Sequence, residues 1–108
     1  MELDLALIGR VVERETMRSL DLGTWQALVR RARLSRSTLN RVRVGERVKV
    51  ERYGKIERAL DLPADTLVSV GLHDLPALGE LGAPADLITF VQRELGKGND
   101  SVKSDVVG

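Results

Sequence analysis

Cysteine is absent from this chain of 108 residues, which excludes disulfides and thiolate metal sites and fits a reducing compartment. Aromatic side chains are almost as scarce, with one Phe, one Trp and one Tyr, so a core has to be built from Leu, Val and Ile. The only histidine, His73, stands beside Asp74 with no second imidazole or thiolate near it in sequence, and no metal or other cofactor is expected. No apolar run approaches the roughly 20 residues of a membrane span, and the acidic start MELDL is unlike a signal peptide. A cytoplasmic protein without a membrane segment is therefore expected. Neither G-x-x-x-x-G-K-[ST] nor G-x-S-x-G occurs, and Ser101 and Lys103 lie in a stretch too polar to bury a reactive lysine. The chain is not expected to be an enzyme.

What is present is charge, and it is segregated. The formal net charge of +1 hides a net of −2 over residues 1–29, +8 over 30–58 and −5 over 59–108. The middle stretch carries eleven Lys and Arg against Glu46, Glu51 and Glu57. A salt-bridged surface would mix the signs. A basic centre between acidic flanks is the footprint of a phosphate-binding surface.

Apolar spacing reads as helices throughout. Leu7, Ile8, Val11 and Val12 mark a first helix over about 4–19, broken by LDLG with Gly23. Thr24 is a candidate cap for a second helix over 25–32, with Leu28, Val29 and Ala32 inward. After Arg33 and Leu34, Ser35 caps a third helix over 35–44 that buries Leu39 and Val42. The alternating run RVRVGERVKV competes as a basic β-hairpin that would shorten this third helix. Tyr53, Ile56, Ala59 and Leu60 mark a fourth helix over about 50–60. A fifth starts at Leu62-Pro63, with Asp65 at its positive end and Gly71 as its stop. LHDLPALGELG reads as a linker over 72–82, and a sixth helix over 83–96 carries the stripe Leu87, Ile88, Val91 and Leu95. Residues 97–108 lack apolar periodicity and read as a mobile tail.

The third helix presents Arg36, Ser37, Asn40 and Arg41 at i, i+1, i+4 and i+5, opposite Leu39 and Val42. Arginine forks onto the two acceptors of guanine, and asparagine matches the donor–acceptor pair of adenine. Such a face is more often merely solvated. Its place inside the basic stretch favours base reading.

From Thr24 the chain resembles the phage lambda repressor and Cro family of helix-turn-helix proteins, whose pattern is T-Q-x-x-L-A-x-x-A-G-V-S-x-x-x-I-x-x-I-E-x-G. Thr24, Leu28, Ala32, Leu34, Ser35, Leu39, Val42 and Gly45 occupy matching positions, and Ile56, Ala59 and Leu60 match further on. The resemblance spans about residues 4–70. It implies an all-α, five-helix lambda-repressor-like DNA-binding domain over 1–71, followed by the linker, one additional C-terminal helix and the tail. It implies base reading by Arg36, Ser37, Asn40 and Arg41, and phosphate contacts by Trp25, Thr38, Arg43, Arg47 and Lys49. Arg33 departs from the family's turn glycine, and Trp25 from its glutamine.

The expected function is a sequence-specific repressor, like a phage immunity repressor or Cro, that occludes a promoter as a homodimer on an inverted-repeat operator. Leu87, Ile88, Val91 and Leu95 are the expected dimer seam, the alternative being that they fold back as extra core. A rival reading is an antitoxin whose C-terminal helix and tail bind and neutralise a toxin while the DNA-binding domain serves autoregulation. The residues beyond the domain are too few for a self-cleaving peptidase domain.

Overall fold

The computed structural model describes the backbone of residues 2–19 and 25–107, with side chains as far as residue 97. Thr24 and Gly23, expected to cap and to turn, lie outside the described residues. Among the described residues seven helices follow one another: α1 (Leu5–Arg18), α2 (Trp25–Ala32), α3 (Arg36–Val44), α4 (Val50–Ala59), α5 (Thr66–Gly71), α6 (Leu75–Leu81) and α7 (Ala85–Val107). No strand occurs among the described residues, so the basic hairpin is not formed and the chain is all-α.

α1 is the hub and packs against α3, α5 and α7. Asp4 starts it by accepting a hydrogen bond from the Leu7 amide at 3.1 Å. Partial burial pushes the Asp4 carboxyl up, but hydrogen bonds from His73 Nε2 (2.7 Å) and Leu7, with the charges of His73 and Arg10, hold it below its ordinary value. His73 is thus tied to the start of α1. Leu7, Ile8, Val11 and Val12 are wholly buried, and the Thr16 hydroxyl donates to the Val12 carbonyl inside the core.

Gly9 sits where α1 crosses the end of α3. A Cβ there would lie 2.5 Å from the Arg43 carbonyl oxygen and 2.6 Å from that of Val42, closer than van der Waals packing allows. Gly45 then closes α3 in the left-handed region (φ 84°), and the Glu46 amide returns to the Arg41 carbonyl at 2.8 Å. The third helix is thereby fixed at both ends, by Ser35 and by this crossing.

Three sequence expectations are corrected. Pro63 does not open α5. The buried Glu57 carboxylate accepts from the amides of Asp65 (3.2 Å) and Leu67 (2.7 Å), and this starts the helix at Thr66. Burial pushes the Glu57 carboxyl up, against the pull of those two hydrogen bonds. The linker contains a helix: Asp74 caps α6 by accepting from the Ala77 amide at 3.1 Å, Pro76 lies in its first turn, and Leu78 is fully buried. α7 continues past Gly96 to Val107, through the residues read as a tail.

The expected dimer seam is spent on the body. Leu87 and Val91 have no exposed surface, and Ile88 and Leu95 pack against the core. Leu87 and Val91 are thus taken up by the chain's own core, as the fold-back alternative expects, and Ile88 and Leu95 remain half-buried. α1 fastens α7 electrostatically as well. Arg10 meets Glu94 at 3.0 Å, Arg14 and Arg18 both meet Asp86, and the Arg14 guanidinium stands 4.9 Å from the centre of the Phe90 ring.

Glycine inside a helix normally costs about 0.8–1.0 kcal/mol relative to alanine. Gly9→Ala should nevertheless destabilise, by about 1–3 kcal/mol net, because the added methyl meets backbone that cannot rotate away. Urea unfolding of the two proteins checks the sign, and a gain in stability would mean that α1 and α3 do not cross this closely.

Candidate nucleic-acid interface

α2 and α3 are joined by the turn Arg33–Ser35, so the functional face depends on how that turn is held. Ser35 caps α3, its hydroxyl oxygen accepting from the Thr38 amide at 3.0 Å while its hydrogen is donated to the Thr38 hydroxyl at 2.9 Å. Leu34, Leu39 and Val42 anchor the turn and helix in the core. Arg36, Ser37, Asn40 and Arg41 are all exposed on the opposite side. The four expected base readers therefore share one solvent-facing surface. Val44 extends it by a turn and is 67% exposed despite being apolar.

Of the expected phosphate contacts, Thr38, Arg47 and Lys49 line one groove of about 430 Å³ with Arg41, Val48 and Arg52. Arg52 was missed in the sequence, although its place three residues after Lys49 in the first turn of α4 puts it on the same flank. Among the described residues no acidic side chain lines this groove. A cleft walled by four cations concentrates positive potential, which suits a phosphodiester.

Trp25 does not fit a phosphate contact. Its indole Nε1 is buried and finds no hydrogen-bond partner among the described residues, so it has no open path to a phosphate. The ring instead backs a small groove of about 180 Å³ with Gln26, Val29, Arg36, Leu39 and Asn40. The Arg43 guanidinium lies 5.8 Å from the ring centre. Cation and ring attract at this distance, so Trp25 serves as a packing surface for Arg43.

The ion pairs sort the arginines into two groups. Arg10, Arg14 and Arg18 of α1 are paired with Glu15, Asp86 and Glu94. None of the eleven Lys and Arg side chains of residues 30–58 makes an ion pair among the described residues. Asp86 and Glu94 serve α1, while the cations of the basic middle stay free of ion pairs among the described residues.

No family model, curated protein or solved structure matches the chain. Among the described residues no helix is long and apolar enough to cross a membrane.

Arg33 adopts φ 57°. Left-handed backbone costs a side-chain-bearing residue about 1–2 kcal/mol, while glycine loses about 0.4–1 kcal/mol by loosening the unfolded chain. Arg33→Gly should accordingly raise stability by a few tenths to about 1 kcal/mol. Thermal or urea melts test this, and a clear fall would show that the Arg33 side chain holds the turn by contacts worth more than the strain.

Proposed function

We propose that this chain is a sequence-specific DNA-binding protein of the lambda repressor and Cro type, acting as a transcriptional repressor. In this reading α2 and α3 form the helix-turn-helix of a five-helix domain, α1–α5, and α6 and α7 brace it from behind. α3 enters the major groove, where Arg36 and Arg41 fork onto guanines and Asn40 pairs with adenine. Ser37 adds a hydroxyl, and Val44 offers an apolar contact to a thymine methyl. Thr38, Arg43, Arg47, Lys49 and Arg52 grip phosphates and set the register. Base contacts specify and phosphate contacts position. A protein so bound over a promoter excludes polymerase by occupying the same DNA.

One observation carries the reading. None of the eleven Lys and Arg side chains of residues 30–58 makes an ion pair among the described residues, and this set includes the arginines of the exposed Arg36, Ser37, Asn40 and Arg41 face, while Asp86 and Glu94 are paired with α1. A merely solvated helix surface would not need that segregation. No specific observation favours the antitoxin reading, and Leu87 and Val91 of its C-terminal helix are buried in this chain. Pairing on an inverted repeat, which the family resemblance implies, would leave Leu87 and Val91 in the core.

Operators recovered from random duplexes by selection test the proposal. Arg36→Ala, Asn40→Ala and Arg41→Ala should each cost about 1–3 kcal/mol on the selected sequence and barely alter binding to unrelated DNA. Equal losses on both would show that α3 is not the reader, and failure to enrich any sequence would remove sequence specificity from the proposal.

A further inference from the structure

A second basic groove lies outside the face described above. It has a volume of about 500 Å³ and is lined by Arg31, Ala32 and Arg33 at the end of α2 and by Lys55, Arg58 and Ala59 of α4. Ala32 and Ala59 are buried, and their small side chains leave the floor open. Four cations wall it, no acid does, and none of the four makes an ion pair among the described residues. Glu57, the nearest acid in sequence, is turned inward onto the amides of Asp65 and Leu67. Four like charges gathered without a counter-charge repel one another, and a bound anion relieves that repulsion.

Arg33 supplies an independent sign. It holds left-handed backbone where glycine would be unstrained, and its side chain lines this groove. Strain kept at a position where it is easily removed points to a use for the side chain. Both grooves take residues from α4. Arg52 lines the first groove, and Lys55 and Arg58 follow it at three-residue steps along α4. Six residues of helix rise about 9 Å, which matches about three base steps of one DNA strand.

We propose that this groove binds the phosphodiester backbone of duplex DNA beyond the segment read by α3, extending the contact along one strand without adding sequence information. The inference rests on the DNA-binding reading, and its ligand chemistry is the phosphate oxyanion. The ridge from Arg52 to Arg58 favours a polymer over a free phosphate compound.

The test compares the unaltered protein with the triple variant Arg31→Gln, Lys55→Gln and Arg58→Gln. Circular dichroism and melting temperature confirm the fold, and the single variants Arg31→Gln and Arg58→Gln, both at exposed positions, stand in if the triple variant melts early. Binding is measured against salt on a duplex of about 30 base pairs and on one of about 10, a single helical turn. Each lost phosphate contact lowers the slope of log K against log salt by about 0.9, so the triple variant should lose about 2–3 on the long duplex and little on the short one. Each single variant should lose about 1 on the long duplex. An unchanged slope on the long duplex, with the fold intact, overturns the groove while leaving the α3 reading in place. No salt-dependent binding by the unaltered protein overturns the DNA reading itself. A titration with inorganic tripolyphosphate, read by thermal shift, separates the two sources. Tripolyphosphate stabilising the unaltered protein but not the variant, with unchanged DNA slopes, would assign the groove to a small phosphate compound and overturn the backbone proposal.

Discussion

The approach of α1 to the end of α3 is the constraint on which the rest depends. With no side chain at Gly9, the carbonyls of Val42 and Arg43 come within a distance that any Cβ would forbid. That single contact sets the height of α3 above the core. Leu39 and Val42 can then be buried while Arg36, Ser37, Asn40 and Arg41 stand outside. The Ser35 cap and the Gly45 closure fix where the helix begins and ends, so the face is held from both ends and from beneath.

The same helix, α1, also governs the electrostatics. Its arginines take up Asp86 and Glu94, so the acidic C-terminal part serves as a counterweight on the back of the molecule. Such exposed and half-exposed pairs contribute little stability individually. Their consequence here is spatial. Asp86 and Glu94 are held against α1, and the cations of α2, α3 and α4 make no ion pair among the described residues. α7 thereby bears on the proposed function from a distance, through packing of Leu87 and Val91 and through these two acids.

Much of this was legible in the sequence, for reasons that can be named. The α1 stripe, the Ser35 cap and the polar face of α3 are local signals, each decided within a few residues. Other features were hidden because they depend on distant residues. Nothing near Thr66 shows that a carboxylate from α4 will cap α5. Gly9 looks like a weak helix residue until α3 lies across it. In LHDLPALGELG, Pro76 and the two glycines read as breakers, although Asp74 before Pro76 and Gly82 after Leu81 are start and stop signals of a short helix. The stripe Leu87, Ile88, Val91 and Leu95 showed that one side of α7 must be covered, and apolar spacing is the same whether the cover is the chain's own core or a second copy. Trp25 was ambiguous in the same way, since a lone indole suits either a phosphate contact through its N–H or an anchor in packing.

The central claim is that DNA meets the surface formed by α3 and the start of α4 while α1 and α7 face away. Backbone amide shifts of the labelled protein, recorded by NMR as duplex DNA is added, test this most directly. The account predicts perturbations concentrated in Arg36–Val44 and in residues 47–52, with the amides of α1 and α7 largely unmoved. Shifts centred on α1 or α7, or no shifts at low salt with any duplex, would contradict it.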